Sequence, residues 1–351
     1  LLVFAIGHGF LVGLLSGPLP AVFALAEWLA ALGIFGYAAI IYCGSREANR
    51  WMRTAFYCGM IVAAYAWYQY LYLPPWDKFW GDAVQMASLG RMEPGQFGVF
   101  STMASRGPLA AFLAFAMIPL LLDKRWRTLL AWPGFIFMGS AVLLTMTRSM
   151  LIVIVVISAV HIIVSSGRSL WQATLLGAVL FAGFTIGLDY MPNTERFAER
   201  YATLGNIEED RSFQGRLSIY GQAGQWILGH PLGAGLGSSG LAGRLGETAY
   251  QVGDAGYLQI FVQFGWLGGL AFYGAIALLI KRLWQSRHFA IGPYVGAGVS
   301  VLVGSVVFLF VTDVFKGFSL MWVIAGRALS LQEIELLNTG LAESEEIETD
   351  A

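Results

Sequence analysis

The chain has 351 residues, 57% of them hydrophobic and 12% charged, and a formal net charge of -1. That composition lies outside the range of soluble globular domains, and the near-zero net charge supplies no global field for nucleic acid. The apolar residues fall in runs of about twenty broken by short charged clusters, the length that crosses a hydrocarbon core of roughly 30 Å.

In chain order the pattern predicts spans at residues 1 to 16, 20 to 42, 52 to 73, 98 to 122, 128 to 146, 149 to 165, 170 to 190, 255 to 280, 291 to 312 and 315 to 331. This is an all-α polytopic membrane protein of about ten transmembrane helices, read as one membrane domain over residues 1 to 351. The chain opens inside an apolar run, Leu1 to Leu15, without an initiator Met, and is expected to lack its beginning. Cys43 and Cys58 lie toward the cytoplasmic ends of their helices and read as buried free thiols.

The linkers Ser45 to Arg53, Asp123 to Arg127, Ser165 to Arg168 and Lys281 to His288 are short, basic and alternate with the others. The positive-inside rule makes them cytoplasmic. Pro74 to Gln96, the break near Thr147 and the long loop at residues 191 to 253 are then periplasmic, and the acidic tail at residues 333 to 351 is cytoplasmic. The Glu-rich end from Glu343 to Asp350 is expected to be solvated and disordered.

In the first outer loop Trp76, Trp80, Val84 and Ala87 recur at helical spacing, with Asp77, Lys78, Asp82 and Gln85 between them. Two readings fit: a helix lying in the membrane interface, or a lid packed on the bundle. The long loop carries a helix from Gly215 to Leu228, followed by Pro231 and the glycines Gly233, Gly235, Gly237 and Gly240. Such glycines end helices and let backbone approach a ligand closely; no Walker Lys-Ser/Thr pair follows them.

Charge in hydrocarbon calls for a partner or an anionic ligand. Arg106, early in the fourth span, and Arg148, in Thr145-Met146-Thr147-Arg148-Ser149, are candidates, with snorkelling to the interface as the alternative for each. Arg216 starts the loop helix with Tyr220 one turn on, and could equally be a surface arginine. Asp254 stands where the long loop re-enters the membrane, as a helix N-cap or a base. Of the four histidines only His230 is clearly in the outer loop, and no Cys/His cluster has metal-ligand spacing, so neither a metal nor a cofactor is expected.

Several ordered segments carry a resemblance: Val99-Phe100-Ser101-Thr102 with Gly107-Pro108-Leu109-Ala110; Leu144 to Ser149; Gly215-Arg216-Leu217; Trp226 to Gly237; and Asp254-Ala255-Gly256-Tyr257-Leu258-Gln259 through Gly268. Over roughly residues 95 to 330 the chain resembles the O-antigen ligase and Wzy-type polysaccharide polymerase superfamily. The resemblance implies a GT-C-like glycosyltransferase of the bacterial inner membrane with its active site facing the periplasm. It implies an undecaprenyl-diphosphate-linked glycan donor, and an acceptor that is a glycan or a lipid A core. Membrane lipids surround it, and a chain-length regulator is a partner to look for. It also implies diphosphate binding by Arg148 and Arg216, with Arg106, Tyr220, Tyr257 and His230 as substrate-binding candidates.

Ligases of this superfamily typically carry a histidine where this chain has Asp254, and the aspartate leans toward a polymerase. Gln263 replaces a glutamate common there. The acceptor hydroxyl needs a base, which makes Asp254 the catalytic candidate beside the two arginines. The alternatives are a ligase and, outside enzymes, a lipid-linked sugar transporter; transporters usually place charged sites near the midplane, whereas these residues gather at one face. For the topology, cysteines placed at Ser212 and Ser344 should be labelled from outside and from inside respectively by an impermeant thiol reagent. Outside labelling at Ser344 would invert every placement above.

Overall fold

The computed structural model describes residues 1–41, 45–84, 89–103, 105–118, 131–165, 211–243, 245, 255–286, 292–310, 313, 315–316 and 319–349. The helices are α1 (Leu2–Ser16), α2 (Pro18–Ile40), α3 (Ser45–Tyr72), α4 (Pro75–Val84), α5 (Arg106–Met117) and α6 (Ala131–Leu144). They continue as α7 (Arg148–Ser165), α8 (Arg211–Gly229), α9 (Gly240–Gly243), α10 (Gly256–Gln285), α11 (Gly292–Phe308) and α12 (Ser319–Thr349). Among the described residues the remaining regular feature is an isolated antiparallel bridge between Gly90 and Phe97. The architecture is thus all-helical, and α2 and α10 are each long and apolar enough to cross a membrane. The expected span at 170 to 190 lies outside the described residues.

The chain divides into two compact units, the first from residues 1–35, 202–282 and 305–319, the second from 36–201, 283–304 and 320–351. In the second unit α3, α5 and α6 pack against one another and α7 packs on α5. Small residues permit this: a Cβ on Gly59 would stand 2.8 Å from that of Ala116 and 2.7 Å from the Met138 sulfur. The expected span from residue 98 begins later, at Arg106, because the backbone before it is held out of helical geometry. Gln69 of α3, fully buried, accepts from the N–H groups of Phe100 and Ser101, both at 2.9 Å, and the Val99 N–H donates to the Leu144 carbonyl at 3.1 Å. Pro108 in the first turn of α5 lacks the N–H that a helix start leaves unused.

The turn expected near Thr147 is present: Met146 adopts φ 54, and α7 starts at Arg148. Arg327, buried in α12, donates to the carbonyl of Ile41 at 3.0 Å and lies over the Trp51 ring at 5.0 Å. A cation thereby meets the negative end of α2. Two expectations are corrected. The acidic tail is helical to Thr349 rather than disordered, its Glu, Leu, Ala and Ile residues being helix formers. Cys58 is a free thiol but exposed on α3 rather than buried.

In the first unit the glycine-rich turn after α8 lies against helices. Its glycines at 233, 235, 237 and 240 all have φ between 73 and 85. The Leu236 N–H donates to the Gly9 carbonyl of α1 at 2.7 Å, and a Cβ on Gly233 would sit 2.6 Å from the Gly265 nitrogen. Helix α10 breaks its geometry at Gly265, where φ is 67 and ψ is -170. The break leaves helix groups without intrahelical partners, and the turn supplies them: the Ala234 N–H donates to the Val262 carbonyl at 2.7 Å, and the Trp266 N–H donates to the Pro231 carbonyl at 2.8 Å.

That region of φ/ψ is essentially restricted to glycine, and a Cβ at Gly265 would lie 2.5 Å from the Leu232 carbonyl carbon. Gly265→Ala should therefore destabilise by about 1–3 kcal/mol or more, read as a lowered unfolding temperature in detergent. Gly33→Ala in α2, where nothing lies within 4 Å, should not. Equal unfolding temperatures for both variants would show that the kink carries no constraint.

Candidate functional site

Two sets of candidate residues emerge, one in each unit. In the second unit Arg106 is half-buried at the start of α5. Across from it, a Cβ on Gly98 would stand 2.8 Å from the Thr145 carbonyl oxygen and 3.4 Å from the Arg106 Cδ. The absent side chain lets the arginine stem, the segment before α5 and the α6–α7 turn converge. Thr145 is fully buried; its hydroxyl donates to the Val142 carbonyl at 2.6 Å and accepts from the Thr147 N–H at 3.2 Å. These bonds hold a tight polar turn between two apolar helices and set the backbone of Arg148 at the first position of α7. A helix start offers backbone N–H groups and a partial positive charge, a setting that suits an anion.

In the first unit α8 packs along the N-terminal half of α10. Ile219, Tyr220, Ala223, Trp226 and Ile227 line one side of α8 and meet Ala255, Leu258, Phe261 and Val262. The spacing of three and four residues explains the helix and its buried stripe. Arg216 occupies the register position one turn before Tyr220. Asp254 lies outside the described residues, but its neighbour Ala255 is fully buried in this contact.

His230 is exposed just beyond the end of α8, its ring stacked on Trp226 with centroids 4.1 Å apart and planes 7° from parallel. Its Nδ1–H donates to the Trp226 carbonyl at 2.8 Å, since a carbonyl can only accept, which leaves Nε2 as the acceptor of the neutral ring. Tyr257 is tied down: its hydroxyl donates to the Val306 carbonyl at 2.7 Å and its ring stacks on Tyr273.

The first unit also holds a polar cluster that hydropathy reading passed over. Lys316 donates to the Gln263 side-chain oxygen at 3.2 Å, and the Gln263 amide donates to the Ser239 hydroxyl at 2.7 Å. Asp313 lies 3.7 Å from Lys316, its side chain only 4% exposed, and accepts from the Phe315 N–H at 3.0 Å. Its other oxygen has no hydrogen-bond partner among the described residues. The half-buried Glu27 of α2 feels the charges of both Asp313 and Lys316. Gln263 can do both jobs in this network because an amide accepts and donates, whereas a glutamate would match Lys316 but have nothing to give Ser239. The signal for the cluster was three charges in apolar sequence, Asp313 and Lys316 three residues apart, and no local pattern joined that pair to Glu27 or Gln263.

Residues 133–273 match the family model described as O-antigen ligase. Over that segment the chain is similar to the O-antigen ligase family. The matched segment contains Arg148, Arg216, Tyr220, His230, Asp254, Tyr257 and Gln263; Arg106, Asp313 and Lys316 lie outside it. No curated protein matches the chain. A solved structure titled as the structural coordination of polymerization and crosslinking by a peptidoglycan synthase complex aligns with a TM-score of 0.47 and 17% identity, over 95% of this chain and 97% of that one.

Burial pushes the Asp313 carboxyl above its usual range, partly opposed by Lys316 and the Phe315 N–H. A folded-state value above the unfolded one means that the folded protein binds the proton more tightly. The contribution is then present below the unfolded carboxylate range and is lost as pH rises through the folded value. Asp313→Asn should remove that dependence and raise the unfolding temperature in detergent relative to the parent as pH increases, with Lys316, Glu27 and Tyr273 the neighbouring titratable groups left in place. Parallel pH profiles for parent and variant would refute the assignment.

Proposed function

We propose that this protein is a membrane glycosyltransferase that polymerises undecaprenyl-diphosphate-linked oligosaccharide units at the periplasmic face of the inner membrane. The carrying observation is the family match over residues 133–273, which holds in one segment the two arginines and the aspartate that the chemistry calls for. Outside the cytoplasm no nucleotide sugar is expected, so the donor must bring its own leaving group, and a lipid diphosphate is one. Its departure needs charge stabilisation more than protonation. Arg148 and Arg216 provide this by paired, charge-assisted hydrogen bonds to phosphate oxygens.

Asp254 takes the proton from the acceptor hydroxyl as that oxygen attacks the anomeric carbon. The bond to the diphosphate oxygen breaks as the new glycosidic bond forms, the charge leaves on undecaprenyl diphosphate, and the anomeric configuration inverts. The contact of α8 with Ala255 supports the reading, because it sets the start of α10 beside the helix that carries Arg216. The aspartate at 254, where ligases typically carry histidine, favours polymerisation over transfer to a lipid A core.

Purified protein in liposomes with lipid-linked glycan should lengthen the lipid-linked product. Arg148→Lys and Arg216→Lys should insert normally and accumulate unextended donor, because an ammonium cannot reproduce bidentate binding. Asparagine caps a helix about as well as aspartate, so Asp254→Asn should keep donor binding and lose about a hundredfold to ten-thousandfold in turnover. Near-parental turnover by all three variants would refute the mechanism, and glycan moved to a new acceptor or across the bilayer without lengthening would refute polymerisation.

A further inference from the structure

A cavity of about 460 Å³ opens in the second unit between α4, α3 and the segment just before α5, lined by Tyr65, Asp77, Trp80, Phe100, Ser101 and Thr102. That volume falls in the range of small-molecule sites. Its walls are fixed in advance. Trp76 donates through its indole N–H to the Tyr65 hydroxyl at 2.7 Å, and that hydroxyl donates to the Asp77 carboxylate at 2.8 Å. Asp77, 7% exposed, is thus a positioned acceptor.

The floor is equally constrained. Ser101 holds φ 51, unusual for a residue with a side chain, and Gln69 keeps it there by accepting two consecutive N–H groups while the Ser101 hydroxyl donates to the Val62 carbonyl at 2.8 Å. Strain locked in beside a cavity points to a site. Trp80 is 43% exposed and leaves part of its ring bare at the mouth.

We propose that this cavity is a subsite for the neutral sugar portion of the glycan substrate, an inference that rests on the glycosyltransferase reading above. A carboxylate in the wall repels phosphate and anionic lipid head groups but accepts from sugar hydroxyls, and an indole offers a flat apolar surface to the C–H face of a sugar ring. The same backbone segment runs from Gly98, beside Arg106 and Thr145, to Ser101 in the cavity floor, a reach of at most about 10 Å. A cation at one end and a carboxylate with aromatic rings at the other match a molecule that is anionic at its diphosphate and neutral along its sugars. The α4 helix therefore acts as a wall of the site, with Asp77 turned inward and Trp76, Phe79 and Trp80 exposed.

The test titrates purified protein with the reducing oligosaccharide released by mild acid from the host's own lipid-linked glycan, with inorganic pyrophosphate in parallel, and measures KM for the intact donor. The parent should bind the saccharide. Trp80→Ala should weaken that binding and raise KM about tenfold, the scale of an aromatic contact, Trp80→Tyr should restore most of it, and Asp77→Asn should weaken it too, all with pyrophosphate affinity unchanged. Failure of the parent to bind the saccharide, parental affinity and KM in both Trp80→Ala and Asp77→Asn, or displacement by glycerophosphoethanolamine as effective as by the saccharide would overturn the subsite. Saccharide binding that depends on Trp80 in a protein that lengthens no lipid-linked glycan would instead overturn the polymerase reading and leave the subsite standing.

Discussion

The two backbone hydrogen bonds across the break in α10, from Ala234 to Val262 and from Trp266 to Pro231, let an apolar helix be interrupted without leaving polar groups bare. Inside a bilayer an unpaired N–H or carbonyl costs several kcal/mol, so a kink at Gly265 survives only where another segment meets it. The glycine-rich turn does this because it has no side chains to hold it off. The same turn presses on α1 through Leu236 and delivers Ser239 to Gln263. The arrangement of α8 against α10, and hence of the helix carrying Arg216 beside the start of the helix that follows Asp254, depends on that docking.

A parallel logic governs the second unit. There the segment before α5 and the turn between α6 and α7 have polar groups satisfied by side chains, by Gln69 of α3 for Phe100 and Ser101 and by Thr145 for Thr147. The result is a short stretch of rigid, non-helical backbone beside a helix start and a half-buried arginine, the kind of place where irregular backbone in a membrane protein carries function. Burial makes a charge expensive, and the chain answers with different devices: Arg327 meets a helix end and a ring, Lys316 an amide and a carboxylate, Asp77 a phenol.

Much of this was legible in the chain. The apolar runs located α1, α2, α3, α6, α7, α10 and α11 to within several residues at most ends, and the helical spacing in the outer loops located α4 and α8. The polar knot at Thr145 to Ser149 announced the turn before α7. The start of α5 differs from the expected one because Val99 and Phe100 are as apolar as any helix residue; what holds them out of a helix is the Leu144 carbonyl for Val99 and the Gln69 side chain of α3 for Phe100, both distant in sequence. The glycines at 233 to 240 suggest helix ends and a close approach of backbone to a ligand, and at 233, 235 and 237 what approaches is helix backbone. The tail after Gln332 has the acidity of a disordered end together with the propensity of a helix, and propensity prevailed.

Periodicity, which is local along the chain, determined by itself the all-helical class and the approximate positions of most helices, while the ordered motifs carried the family resemblance. Side-chain identity at single positions went no further, because Glu27, Gln263 and the neighbouring Asp313 and Lys316 lie far apart in the sequence. Only the tertiary structure decided that these four form one polar cluster, that Asp77 turns inward to meet Tyr65, and that Gly98 brings Arg106 to Thr145. The physical reason is that hydrogen bonds and ion pairs act over about 3 Å, so they are set by which helices touch, and that is information the order of residues along one helix does not contain.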